Sequence, residues 1–313
     1  MSTIDSPAIG TATINAVSVD CPAKTNLTLH VGPSHAEWGG RHELDTIYCA
    51  VGVYDTVTAT RKAPGSGFSL NLEGAYLGDL ASSGSDMRRN HAVLALFAMA
   101  EASGHEPDVA LNIDKRIPVG AGMAGGSADA AATILALNTL WDLDWPIERL
   151  QEVAATLGAD MPFCLTGGYA RGTGFGERIE QLDDDGNIVR DLTERGFTGH
   201  LLVGAYRAEL RTPEVYATFD QIGAGDGDEN HLQKAAVSLH PRSDRRSRKP
   251  CVREPARRSY PVPARPSSRS CRRRMRRTPC SGHGRTAVAS IASSPRRPSP
   301  TDCAYHRMTH ITA

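Results

Sequence analysis

The sequence predicts an α+β body of about 240 residues followed by a chemically different tail. Three observations carry this reading. Runs rich in β-branched residues crowd the first 60 positions, and segments of helical period fill 91–158. After residue 240, Leu, Phe and Trp disappear altogether. At 313 residues the chain is long enough for one large or two modest domains with a proper core.

The elements follow in order. TATINAVSV (11–19) and NLTLHV (26–31) read as strands, and DTIYCAVGVYDTVTAT (45–60) reads as strand material with interruptions. HAVLALFAMAEASG (91–104) predicts a buried helix stopped by Gly104. VALNI (109–113) alternates Val109, Leu111 and Ile113 with small or polar residues, a strand pattern. SADAAATILALNTLW (127–141) puts Ala130, Ile134, Leu137 and Trp141 on one helical face. PIERLQEVAATLG (146–158) opens with proline at a first helical position and closes at Gly158. LLVGAY (201–206) reads as a further strand.

The formal net charge is zero, but residues 1–240 carry 16 Lys/Arg against 32 Asp/Glu, and residues 241–313 carry 19 against 3. Overall neutrality therefore says nothing about partners. The seven cysteines are scattered and form no CxxC, which fits a reducing compartment, so a cytoplasmic protein is expected. The first 20 residues hold no Lys or Arg and no long apolar run, so no signal peptide is read there. The best apolar stretch, AVLALFAMA (92–100), is too short to span a bilayer. Ten of the 19 prolines lie in the tail, with runs such as CRRRMRR (271–277). Such a segment buries too little apolar surface to offset the cost of ordering it, about 1–2 kcal/mol per residue, so 241–313 is expected to be disordered.

One loop carries chemistry. PVGAGMAGGSADAAA (118–132) follows a strand and turns into a helix near Ser127. Glycines let successive N–H groups approach an anion, and a helix start adds unpaired N–H groups and positive potential. The expected ligand is a phosphate, with the Ser127 hydroxyl either donating to it or capping the helix. Gly120, Gly122 and Gly125 match the dinucleotide spacing GxGxxG, but a helix follows where that unit needs a strand. No lysine completes a Walker A loop, and no HRD or DFG follows.

The loop resembles the ATP-phosphate loop of the GHMP small-molecule kinases. Within that family, CPAKTNLTLHVG (21–32), GRHELDTIY (40–48) and GADMPFCLTGGYARGTGFGE (158–177) resemble the branch acting on a cytidine-diphosphate sugar alcohol of non-mevalonate isoprenoid synthesis. The resemblance covers about 16–235, with TPEVYATFD (212–220) as a weaker match. It implies a two-domain fold: a ribosomal-protein-like N-terminal domain over 1–165, a truncated ferredoxin-like C-terminal domain over 166–240, then the tail. It implies phosphoryl transfer from ATP, with Mg²⁺, to an alcohol of a small cytidine diphosphate, with no membrane or nucleic acid as partner. By the same resemblance Asp160 is the catalytic base and Lys24 lies beside the reacting hydroxyl. Asn26, His42 and Tyr216 contact the acceptor. Lys115, Pro118, Gly120, Gly122, Gly125, Gly126 and Ser127 bind ATP, with Lys115 near the adenine and Arg116 near the phosphates. Read from the residues alone, Asp160 is an ordinary turn acid, Lys24 a solvated lysine and His42 a surface histidine.

Two positions depart from the family. Arg41 stands where an aromatic usually precedes the histidine, and a guanidinium can still stack on a base. Ala124 replaces a loop glycine, which is harmless if its φ is negative. The family's third glycine motif has only a faint echo, SGHGRT (281–286), with no strands expected around it. The expectation is an out-of-frame tail after about residue 235, an incomplete second domain, poor stability and little or no turnover. The alternatives are a homoserine- or mevalonate-type kinase, which GRHELDTIY disfavours, or a degenerate kinase body with a nucleic-acid-binding tail. That tail has the charge for phosphate contacts but only Tyr260 and Tyr305 to stack on bases.

Overall fold

A computed structural model describes residues 14–74, 77, 87–203 and 210–241, together with the backbone of 287–290. Its spine is a pair of long antiparallel strands, β1 (Ala16–His35) and β2 (Arg41–Arg61), with Ala16 opposite Thr60 and His35 opposite Arg41. A 3₁₀ turn at Ala36–Trp38 and two left-handed glycines, Gly39 and Gly40 with φ of 67° and 80°, reverse the chain between them. The two strand segments expected over 11–19 and 26–31 are thus one strand. The pairing shifts register at Pro22/Ala23, Asn26/Thr28 and Val31/Ser34, so the strand bends past a proline that lacks an N–H instead of ending there.

The other edge of β2 is shared. β4 (Val109–Lys115) pairs with Thr56–Arg61, and β5 (Tyr169–Thr173) pairs with Thr46–Cys49, so the sheet forks along a single strand. β3 (Ser69–Gly74) lies parallel to β4, and β6 (Arg178–Leu182) lies antiparallel to β5. The parallel pair needs a crossover, which α1 (His91–Ser103) supplies. The Asn90 side chain caps α1 by accepting from the Ala92 N–H, and Gly104 ends it with φ of 73°. The expected alternation in β4 holds: Val109, Leu111 and Ile113 are buried.

α2 (Gly125–Leu140), α3 (Ile147–Leu157) and α4 (Met161–Thr166) join α1 in the layer that covers the sheet. Alanine makes the close approach of α2 possible, and Ala128, Ala130, Ala131, Ala132 and Ala136 are fully buried. Pro146 is the N-cap of α3, one residue outside its first turn. The expected domain boundary near 165 falls inside the path of this sheet, because β5 and β6 belong to it.

Beyond it come α5 (Asn187–Glu194), β7 (His200–Val203), α6 (Thr212–Ile222) and α7 (Gln233–Leu239). The strand expected over 201–206 is described only to Val203. The chain between α6 and α7 returns to β1, where the Leu29 N–H donates to the Glu229 carbonyl (2.8 Å) and the His231 N–H to the Leu29 carbonyl (2.9 Å). Within the tail, β8 (Ala287–Ser290) pairs antiparallel with β7, a strand that the composition of the region did not predict. Its residues AVAS are small or β-branched and complete an open strand edge. The remainder of the tail, SGHGRT included, lies outside the described residues. Among the described residues no helix is long and apolar enough to cross a membrane, and Cys21, Cys49 and Cys164 are buried free thiols.

Candidate active site

Alternation along β1 puts Lys24 and Asn26 on one face, and the Lys24 ammonium donates to Asn26 Oδ1 at 2.8 Å. The Asn26 amide donates onward to Thr46 Oγ1 (2.7 Å), whose hydroxyl donates to the Thr28 carbonyl (2.6 Å). Lys24 is not the solvated lysine of the bland reading, since its side chain is 8% exposed. A buried ammonium needs a counter-charge, and Asp160 supplies it, with Oδ2 3.1 Å from Lys24 Nζ. Asp160 occupies the N-cap position of α4 but makes no cap hydrogen bond, so its carboxylate turns toward Lys24 and away from the helix. At 34% exposure it stays open to an incoming group on one side. Tyr48, from β2, donates to the other oxygen, Oδ1, at 3.2 Å. Burial and the Asp160 charge hold the Tyr48 phenol well above its ordinary range, so it remains a donor.

The glycine loop adjoins this pair. The Lys24 N–H donates to the Met123 carbonyl at 3.1 Å, which ties the loop to the strand carrying the lysine. Gly120 and Gly122 take φ of 73° and 71°. Ala124 is also left-handed, with φ of 55° and ψ of 37°, so the condition for its being harmless is not met. A left-handed residue with a Cβ costs about 1–2 kcal/mol. Ala124→Gly is expected to raise unfolding free energy by about 1 kcal/mol, read as a higher urea midpoint; a lowered midpoint would contradict this.

The helix begins at Gly125, two residues earlier than predicted. Ser127 is therefore not the cap but lies in the first turn, and Ala124 at the N-cap offers no side chain to the helix end. The amides of Gly125, Gly126 and Ser127 have no partner within the helix, the arrangement that receives an anion. A Cβ on Gly126 would collide with the His91 ring, and one on Gly125 would stand 3.2 Å from Ile117 Cγ2. Pro118 is buried at the base of the loop, whereas Gly120 is exposed.

Lys115 is elsewhere than expected. Its amine is 2% exposed and lies beneath the loop, bonded to Asp55 Oδ2 and, at 2.7 Å, to Asp129 Oδ2. It also reaches the Gly125 carbonyl at 3.4 Å. The second Asp55 oxygen accepts from the Arg116 and Ile117 amides at 2.5 and 2.8 Å. Two buried carboxylates compete for one ammonium, and that competition decides the site's placement. The amine is held inside the fold and does not reach the open face of the loop. Burial, with the Asp55 charge added, pushes Asp129 up to about 7 against the pull of Lys115, and Asp129 Oδ1 has no hydrogen-bond partner. Arg116 pairs with Asp114 at 2.9 Å on the surface.

The third group lies at the start of β2. His42 Nδ1 is 2.9 Å from the Gly32 carbonyl, which fixes a proton on that nitrogen. Nε2 faces Asp220 Oδ1 at 3.1 Å. The ring stacks on Tyr216 (centroids 5.4 Å apart, planes 19° apart), so the structure brings these two expected acceptor residues together. Burial and the charge of Asp160 push the Tyr216 phenol up to about 12, which ties this group electrically to the Lys24–Asp160 pair. Arg41 stacks its guanidinium on Phe175 at 4.5 Å.

Sequence reasoning missed Thr46, Tyr48, Asp55, Asp129 and Asp220. Thr46 and Tyr48 carried a signal, since they follow His42 at even spacing in a predicted strand and so share its face. Nothing local marks Asp55 as the partner of a lysine 60 positions away.

Comparison with known proteins gives the family. The family model described as "GHMP kinases N terminal domain" matches residues 90–168. The 4-diphosphocytidyl-2-C-methyl-D-erythritol kinase of Bifidobacterium adolescentis is 99% identical over 243 residues, 78% of this chain and 79% of that protein. The enzyme of the same name from Bifidobacterium longum subsp. infantis is 74% identical over 227 residues, 72% of each chain. A crystal structure of 4-(cytidine 5'-diphospho)-2C-methyl-D-erythritol kinase superposes with a TM-score of 0.46 at 27% identity, covering 73% of this chain and 80% of that one. The chain belongs to the 4-diphosphocytidyl-2-C-methyl-D-erythritol kinase family of the GHMP kinases.

Proposed function

We propose that the chain transfers the γ-phosphoryl group of ATP to the 2-hydroxyl of 4-diphosphocytidyl-2-C-methyl-D-erythritol, in the cytoplasm, as a step of non-mevalonate isoprenoid synthesis. The observation that carries this is the Lys24–Asp160 pair joined to a helix-start glycine cradle through the Lys24 N–H. Asp160 takes the proton of the acceptor hydroxyl as its oxygen bonds to phosphorus and the bridging bond to ADP breaks. Lys24, 3.1 Å from the Asp160 carboxylate, orients it and offsets charge on the group in flight. The amides of Gly125, Gly126 and Ser127 hold the phosphates. Ser127, in the first turn beside the cradle, would hold a Mg²⁺ ion carried by ATP, which would neutralise phosphate charge.

Strand spacing supports an elongated acceptor. His42 and Tyr48 are six residues apart on one face of β2, and Tyr216, stacked on His42, is near enough to feel the Asp160 charge, so one acceptor can lie along the strand from the stacked pair to the transfer site. A compact acceptor such as homoserine or mevalonate has no base to place against His42 and Tyr216. Coupled ADP release with a panel of acceptors tests this: the diphosphocytidyl compound is expected to give at least a tenfold higher kcat/KM than mevalonate or homoserine. Equal rates would sink the assignment.

The tail bears on rate. Near-complete identity over 243 residues, with the rest of the chain unmatched, fits a single change of reading frame, and the loss of Leu and Phe after residue 240 marks where. We propose that this leaves the second domain incomplete and turnover low. Resequencing the gene decides it: an uninterrupted frame that encodes the tail would refute the proposal.

A further inference from the structure

We infer that Tyr48 is a positioning residue for the Asp160 carboxylate, holding the oxygen that Lys24 does not hold; this rests on the reading of Asp160 as the base. Lys24 and Tyr48 approach opposite oxygens, at 3.1 Å on Oδ2 and 3.2 Å on Oδ1, so rotation of the carboxylate costs both contacts. The phenol is itself fixed. Tyr48 is 1% exposed and stacks on Phe163 at 4.9 Å.

Two glycines make room for it. A Cβ on Gly172 would lie 2.5 Å from Tyr48 Cε2, and one on Gly176 would lie 2.7 Å from the hydroxyl. The bare backbone of β5 and the turn after it therefore admits this ring where any other residue would push it off Asp160. The Lys24 ammonium sits 5.2 Å over the same ring, so one side chain contacts both members of the pair.

The hydroxyl has a second acceptor, the Gly176 carbonyl at 3.3 Å. A phenol has one proton to give, and a carboxylate is the stronger acceptor. While Asp160 is ionised, the proton points to Oδ1. Once Asp160 has taken the acceptor's proton, the hydroxyl turns to Gly176 and its oxygen receives the new carboxyl O–H. No proton is gained or lost by Tyr48. The titratable groups facing it are Lys24 from β1, Asp160 and Cys164 at α4, and Tyr216 from α6.

The test uses the full chain labelled with ¹³C at aspartate carboxyls, with the Asp160 signal assigned by its loss in Asp160→Asn. In Tyr48→Phe that signal's chemical shift is expected to move, because the donor to Oδ1 is gone while the ring remains. The variant's kcat should fall about tenfold, and both KM values should hold within about twofold. Gly176→Ala crowds the hydroxyl without removing the ring and should reproduce the shift, which covers a Tyr48→Phe chain that fails to fold. An unmoved signal and an unchanged kcat in the folded variants would overturn the inference and leave Tyr48 a packing residue. If the signal moves but Asp160→Asn transfers phosphoryl at the parent rate, the positioning stands and the base assignment fails.

Discussion

Asp160→Asn is expected to slow single-turnover phosphoryl transfer by about 10²- to 10⁴-fold, with ATP affinity unchanged within about threefold. The substitution keeps shape and an oxygen for Lys24 but removes the group that accepts a proton. That one oxygen cannot serve both donors, since Lys24 and Tyr48 approach opposite carboxylate oxygens at 3.1 and 3.2 Å, so the amide gives up the Tyr48 bond. The cradle is untouched, because its tie to β1 runs through the Lys24 backbone and Met123. An enzyme-excess experiment removes product release from the measurement and reads even a slow chain. A transfer rate within threefold of the parent would mean that the proton leaves by another route.

Lys115→Met is expected to cost about 3–5 kcal/mol of stability, because it leaves the buried carboxylates of Asp55 and Asp129 facing each other without a cation. Met matches the length of the lysine stem and fills the space, so the loss isolates the charge. The Asp55 bonds to the Arg116 and Ile117 amides hold the entry to the loop, and the Gly125 carbonyl at its exit is within reach of the same amine. ATP affinity should fall as a consequence of loop loosening. Urea unfolding beside ATP titration separates the two roles. A stability loss under about 1 kcal/mol with a tenfold weaker ATP complex would restore Lys115 as a nucleotide contact.

The sequence was most informative where a residue's chemistry is local. The Gly104 stop, the α2 face with Ala130, Ile134 and Leu137, and the β4 alternation all followed from period and punctuation. The length of β1 did not, because Pro22 reads as a break while bulges carry the strand past it. Ala124 was legible as a loop residue but not as left-handed, a state set by closure between Ile117 and the start of α2. The pairing of Lys24 with Asp160 came only with the family resemblance. A lysine and an aspartate 136 positions apart give no local sign of each other. Lys115 shows the converse limit: the motif marked the position, and the partners that bury it came from elements remote in sequence.

The central claim is that the Lys24–Asp160 pair, set against the glycine cradle, moves a phosphoryl group onto the diphosphocytidyl acceptor. ³¹P NMR of the full chain with ATP and that acceptor reads the transfer itself. A new phosphomonoester resonance that grows as the γ-phosphate of ATP declines, and that Asp160→Asn suppresses, is the predicted result. ATP bound in the cradle with no such resonance, or the same resonance undiminished in Asp160→Asn, would contradict it.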